Sequence, residues 1–151
     1  IYLILEGFVK CYIEEQNGRI YLIDFFGAGK ILGELEILSS INNFTTIEAL
    51  TTIKALKIEG EYWKSLFDKK TEFKNLVLDD LVSRLVLLAK KSSYQHIYPI
   101  EQSIIQIIDV FNLNKEMITK EDLASYLGIT LRSLNRSLKK INSPIINKIS
   151  G

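Results

Sequence analysis

The stretch Ile118–Ile141, ITKEDLASYLGITLRSLNRSLKKI, holds two helix starts and one helix stop within a short span. Thr119 is a helix N-cap residue, and Glu121 and Asp122 follow in the first turn, where acids suit the helix dipole. Leu123, Ala124 and Leu127 fall on one face, and Gly128 supplies the turn out of that helix. Thr130 can cap a second helix, whose Leu134, Leu138 and Ile141 recur at helical spacing. The opposite face of this second helix carries Arg132, Asn135, Arg136 and Lys139. Two short helices about a glycine turn, the second apolar inside and basic outside, match a helix-turn-helix with a recognition helix. An ordinary helical hairpin with a solvated basic face would share the pattern. The turn chemistry, the small residue at Ala124 and the clustered arginines together favour the first reading.

Charge is distributed unevenly around this stretch. The net charge is only +1, yet residues 115–151 hold seven Lys/Arg against three Asp/Glu, a balance of +4. Residues 1–114 hold twelve against fifteen, a balance of −3. A basic C-terminal third behind an acidic remainder fits an electrostatic footprint confined to one end. The single cysteine, Cys11, excludes an intrachain disulfide framework, and the expected setting is the reducing cytoplasm. No apolar run reaches transmembrane length and no signal peptide is visible, so no membrane partner is expected. The chain begins at Ile1 within a strand-like run, and residues are expected to be missing at both ends.

The first 59 residues read as strands punctuated by glycine. Tyr2, Ile4, Phe8, Cys11 and Ile13 are dense in β-formers and broken at Glu6-Gly7. Asn17-Gly18 marks a hairpin between Val9–Ile13 and Ile20–Phe25. Gly27, Gly29 and Gly33 mark tight turns or close backbone approach, and Thr45–Ala49 and Ile53–Ile58 complete the pattern. Many short strands with frequent turns argue for a sandwich or barrel, here a β-roll.

Within that region, Gly29-x-x-x-Gly33-Glu34-Leu35 precedes Phe44-Thr45-Thr46-Ile47-Glu48-Ala49. With Tyr2-x-Ile4-x-x-Gly7 and Asn17-Gly18, these motifs resemble the cyclic-nucleotide-binding β-roll. Joined to the helix-turn-helix, the chain resembles the bacterial regulators of the cyclic-AMP receptor protein and fumarate–nitrate regulator (CRP/FNR) superfamily over almost its whole length. The resemblance implies an α+β chain: a β-roll effector domain at residues 1–70, a dimerisation helix and hinge at 71–98, and a winged helix-turn-helix at 99–151 with its wing incomplete. It also implies an effector pocket built from Gly33, Glu34, Leu35, Asn43, Phe44, Thr45 and Leu88. In the family an arginine and a hydroxyl hold the cyclic phosphate, and a glutamate fixes the ribose. Gly33 and Glu34 match the glycine–glutamate pair, but Asn43 stands at the arginine's place and Phe44 at the hydroxyl's. Glu34 is accordingly read as structural and cyclic AMP is not expected as the effector. No cofactor is expected, and the effector is left unnamed.

Between the two ends, Gly60–Phe67 reads as a short helix with Trp63 and Leu66-Phe67 turned to the roll. From Thr71 a long helix is expected to run to about Ser92. Its Leu78, Leu81, Leu85 and Leu88 are spaced like a coiled-coil seam, with Val82, Val86 and Ala89 beside them. The resemblance makes this the homodimer helix and aligns Leu87-Leu88-Ala89 with the positions that touch the purine, where no side chain here can hydrogen-bond a base. The hinge is expected at Ser92–Tyr98, ahead of Pro99. His96 lies there without the partners that a metal or haem site needs, so no metal is expected. Ile100–Phe111 should support the helix-turn-helix, Asn112–Met117 should form the loop into it, and Ile145–Ile149 should begin a wing.

The DNA-contacting residues that follow are Thr119, Thr130, Leu131, Arg132, Asn135, Arg136 and Lys139. The expected partners are a palindromic double-stranded DNA site, a second copy of the chain, and RNA polymerase if the protein activates. The alternative is a roll that senses another small molecule, with DNA binding secondary. One His, one Cys and no paired-carboxylate or phosphate-loop motif leave little for catalysis, and no catalytic residue is assigned.

Overall fold

A computed structural model describes residues 1–43, 45–110 and 118–141. Phe44, the loop expected at 112–117, and the expected helix end and wing beyond Ile141 lie outside the described residues. The chain divides into two compact units, residues 1–19 with 23–85, and residues 20–22 with 86–151.

The first unit is a roll of two three-stranded sheets. Strands β1 (Tyr2–Glu6), β2 (Val9–Glu14) and β3 (Ile20–Phe26) come first, then β4 (Ile31–Leu32), β5 (Thr46–Ala49) and β6 (Lys54–Lys57). The sheet orders are β4-β1-β6 and β3-β2-β5. Period-2 patterning turns Ile4 of β1, Val9 and Cys11 of β2, and Phe26 of β3 into one buried cluster, with Ile23, Leu32 and Ile53 packed against it. The expected hairpin forms at Asn17-Gly18, where the Asn17 side chain accepts from the Arg19 N–H at 3.0 Å. On the β2–β5 pair, Lys10 faces Glu48 in register and their charges meet at 3.3 Å.

Helix α1 (Glu34–Ser39) was not anticipated. It is only six residues long, and its apolar residues do not repeat often enough to reveal a helical period. Helix α2 (Gly60–Lys69) buries Trp63 completely, stacked on Phe67 at 5.3 Å and edge-on to Phe73 at 5.8 Å.

Helix α3 spans Thr71–Ile97, which corrects the hinge expected at Ser92–Tyr98. Nothing in 92–97 removes a backbone donor, so the helix runs on until Pro99 restricts the residue before it. The break is confined to Tyr98-Pro99, and helix α4 (Ile100–Val110) starts at once. The Ser103 hydroxyl of α4 donates to the Tyr94 carbonyl of α3 at 2.6 Å and ties the two ends together.

In the second unit α4 is followed by α5 (Lys120–Leu127) and α6 (Leu131–Lys140). Ile104, Ile107 and Ile108 of α4, Leu123, Tyr126 and Leu127 of α5, and Leu134 and Leu138 of α6 are all buried. Helix α6 contacts both α5 and α4. The ammonium of Lys91, on α3, is buried 3.6 Å from the Tyr126 ring centroid and donates to the Leu22 carbonyl at 2.8 Å.

Gly7 tests the roll's tightest turn. Its φ is +95°, and a Cβ there would lie 2.4 Å from the Thr52 carbonyl oxygen and 2.6 Å from the Ile53 side chain. Gly7→Ala is expected to destabilise the protein by more than about 1 kcal/mol, because strain and overlap act together. An unchanged urea midpoint would refute this.

Candidate nucleic-acid interface

Local chemistry builds this site. The Thr119 hydroxyl accepts from the Asp122 N–H at 3.0 Å and donates to the Asp122 carboxylate at 2.9 Å, closing the N-terminus of α5. Gly128, at φ +70°, ends α5, and the next N–H, of Ile129, reaches back to the Ala124 carbonyl at 3.0 Å. The Thr130 hydroxyl then accepts from the Ser133 N–H at 3.1 Å and opens α6.

Helix α6 has two chemically opposite faces. Leu134, Ser137 and Leu138 are buried, whereas Arg132, Arg136 and Lys139 are exposed. Thr130, Leu131, Arg132, Ser133, Asn135, Arg136 and Lys139 line one open surface concavity. Six of the residues expected from sequence are thereby brought together. Ser133 was missed, although it stands three residues after the Thr130 cap, on the same edge. Thr119 caps the other helix and is not part of this lining.

Among the described residues no carboxylate lies within ion-pair distance of Arg132, Arg136 or Lys139. Lys140 is different. It meets Glu101 of α4 at 3.2 Å, and the Ser137 hydroxyl donates to the same carboxylate at 3.1 Å. The Glu101 backbone N–H, followed by Lys140 and Ser137, holds that carboxyl below the usual carboxylate range. One pair clamps α6 to its support while three cations on the outer face stay available to an anion.

The residues expected to form the roll's pocket are arranged differently. Gly33 precedes α1, Glu34 is 1% exposed, Leu35 and Asn43 are exposed and Thr45 is half-buried. The Glu34 carboxylate meets the Arg84 guanidinium of α3 at 2.7 Å. Arg84 also donates from Nε to Asp80 at 2.8 Å and from Nη2 to the Ile31 carbonyl at 3.3 Å, and Lys30 also pairs with Asp80. Burial pushes the Glu34 carboxyl up, against the pull of Arg84. Burial also acts on Asp80, but hydrogen bonds from Lys30 and Arg84 outweigh it and bring that carboxyl down. The two carboxylates diverge because Glu34 is far more deeply buried and faces Arg84 alone, whereas the partly exposed Asp80 receives hydrogen bonds from both Lys30 and Arg84.

Along α3, Leu78, Leu85 and Leu88 are exposed but Leu81 is half-buried, and Val82 and Val86 are exposed beside them. A straight helix of 3.6 residues per turn moves the open stripe from the strict heptad line toward Val82. His96 lies in the last turn of α3 with Nδ1 2.7 Å from the Ser92 carbonyl oxygen, and Cys11 is buried, which raises its thiol pKa. Among the described residues no cluster of three or more His, Cys, Asp or Glu could hold a metal, and no helix is long and apolar enough to cross a membrane.

Residues 1–70 match the family model of the cyclic nucleotide-binding domain. The chain is similar in fold to solved structures that include transcriptional regulators. The c-di-GMP-responsive global regulator CLP of Xanthomonas campestris aligns at TM-score 0.71 and 21% identity, over 92% of this chain and 75% of that one. A CRP/FNR-family regulator of Thermus thermophilus aligns at TM-score 0.74 and 13% identity, over 92% and 73%. FixK2 of Bradyrhizobium japonicum aligns at TM-score 0.71 and 13% identity, over 92% and 72%. No curated protein matches the chain by sequence. The chain has the fold of the CRP/FNR transcriptional regulators, with a cyclic nucleotide-binding-type domain at its front.

The charge set gives a pH test. A carboxyl with a lowered folded pKa stabilises the fold above its unfolded value, and that contribution is lost as pH falls through the folded value. Asp80→Asn should therefore be less stable than the parent at neutral pH, with the gap closing as pH falls below the ordinary aspartate value of 3.8. Glu34, shifted upward, acts in the opposite sense but is common to both proteins. Denaturant titrations showing the same gap at neutral and strongly acid pH would refute the assignment.

Proposed function

We propose that the chain is a cytoplasmic, sequence-specific DNA-binding transcriptional regulator that acts as a homodimer on a palindromic site and does not respond to cyclic AMP. The observation that carries this is the α6 face, where Arg132, Arg136 and Lys139 line one concavity with no carboxylate partner among the described residues, while Leu134 and Leu138 are buried behind them. A helix with that division fits the major groove, with its N-terminal residues at base edges.

Roles follow from side-chain chemistry. Arg136 has the planar fork that pairs with guanine O6 and N7, and Arg132 prefers guanine or a phosphate. Leu131 suits a thymine methyl, and Asn135 can pair with adenine N6 and N7. Lys139 neutralises a phosphate, and the capping hydroxyls Thr130 and Thr119 sit where backbone contacts are made at helix N-termini. The neutral Asn43 at the phosphate-arginine position removes a charge-assisted contact worth roughly 2–5 kcal/mol, which argues against cyclic AMP.

Dimerisation is supported by the open stripe of α3. Each leucine removed from water there contributes roughly 1.5–3 kcal/mol. Two copies joined this way would present two recognition helices to half-sites about 34 Å apart.

Selection from a random DNA pool tests the reading residue. Arg136→Ala is expected to cost roughly 1–3 kcal/mol and to relax preference at one base pair. Lys139→Ala should weaken all sequences alike and lower the salt slope by about one unit. An Arg136→Ala protein that selects the parent motif with the parent's stringency removes Arg136 from the reading role.

Association is tested by sedimentation. Leu85→Asp puts a charge on the stripe and is expected to shift the protein to monomer and to lower its DNA affinity. A stable monomer for the parent chain would overturn the dimer.

A further inference from the structure

Leucine packing holds α6 against its neighbours but leaves it one freedom. Leu134 and Leu138 are buried on its inner face, and apolar contact has no preferred direction. Such contact opposes withdrawal of the helix more than rotation about the helix axis. Rotation matters at the outer face. Turning a helix by about 20° moves a side-chain tip at its ~6 Å outer radius by about 2 Å. A bidentate contact to a base edge does not survive that shift.

Glu101 supplies the missing direction. Its Oε1 accepts from the Ser137 hydroxyl at 3.1 Å and meets the Lys140 ammonium at 3.2 Å, so one oxygen grips α6 at two residues. Ser137 and Lys140 lie along one flank of α6, between the buried leucines and exposed Arg136. Ser137 is 1% exposed, so its hydroxyl needs a partner, and Glu101 is the one it takes. Glu101 is itself held. It stands at the start of α4, where buried Ser103 donates to the Tyr94 carbonyl at 2.6 Å. All of these residues belong to the second compact unit. A directed bond from a fixed backbone is what holds a recognition surface to its aim.

Charge points the same way. A carboxylate beside a cationic face repels phosphate, so by charge alone its removal would tighten binding to every DNA sequence. A positioning role has the opposite consequence for the preferred sequence.

We propose that Glu101 is a positioning residue for sequence reading: through Ser137 and Lys140 it fixes the rotation of α6 and thereby the aim of Arg136. The proposal rests on the DNA-binding function stated above.

The test uses the full chain, with fluorescence anisotropy on a site selected from random DNA and on an unrelated duplex of equal length. Glu101→Ala is expected to lose about tenfold on the selected site, while its affinity for the unrelated duplex stays level or rises. A charge effect alone raises both affinities together, and an unchanged ratio of the two overturns the proposal. Should Glu101→Ala fail to fold, Ser137→Ala removes one grip without altering charge. A severalfold fall in the same ratio is then expected, and no fall overturns the proposal. Lys140→Met reads whether the grip persists on DNA. Its salt slope on the unrelated duplex is expected to match the parent's, because Glu101 already holds that charge. A slope lowered by about one unit places Lys140 on a phosphate and overturns the grip. Selection that yields no site removes the DNA-binding function and this proposal with it, whereas a selected site with an unchanged ratio removes this proposal alone.

Discussion

A carboxylate taken out of water must keep a cation close or lose its charge, and Glu34 in the roll keeps Arg84 at 2.7 Å. The constraint propagates. Arg84 belongs to α3, so satisfying Glu34 fixes where one turn of that helix lies against the roll. Arg84 is shared with Asp80, one turn earlier on α3, and Asp80 is shared with Lys30. The face of α3 that bears these charges therefore faces inward, and Leu78, Val82 and Leu85 are left on the open side. An apolar stripe in solvent and a charge set turned inward invert the usual arrangement of a surface helix.

The α5–α6 pair depends on a different economy, in which its caps and turn are local. Thr119 and Thr130 each satisfy an N–H three residues ahead, and Gly128 ends α5 without a Cβ penalty. Burying Leu134 and Leu138 then decides which side of α6 points outward. The clamp from Glu101 to Ser137 and Lys140 fixes the helix to its support and separates structural cations from available ones. Lys139 and Lys140 are neighbours in sequence with opposite roles, because successive residues of a helix point about 100° apart.

Residues 1–70 match the cyclic nucleotide-binding domain, and in this roll Arg84 pairs with both Glu34 and Asp80 while Lys30 pairs with Asp80. Asn43 is exposed and neutral, and Glu34 is turned to Arg84. A fold supplies the position of a pocket, and particular side chains decide what enters it. CLP, which shares this fold at 21% identity, is c-di-GMP-responsive.

How much was legible in the sequence follows from the range of the interactions. Caps, the glycine stop, the Asn17-Gly18 hairpin and the apolar period of α6 each act over a few residues, so Ile118–Ile141 and the β2–β3 turn could be read directly. The extension of α3 to Ile97 was obscured because the apolar period fades after Ser92 although backbone hydrogen bonding does not. Short α1 was hidden for want of a full period. The charge quartet had no local signature. Lys30 and Glu34 lie some fifty residues from Asp80 and Arg84, and nothing in either segment names the other. The sequence alone determined which residues cap, turn and alternate, since those preferences belong to neighbours along the chain. Only the tertiary structure decided which distant charges meet, because burial assigns a partner to Glu34, and burial is a property of the packed molecule.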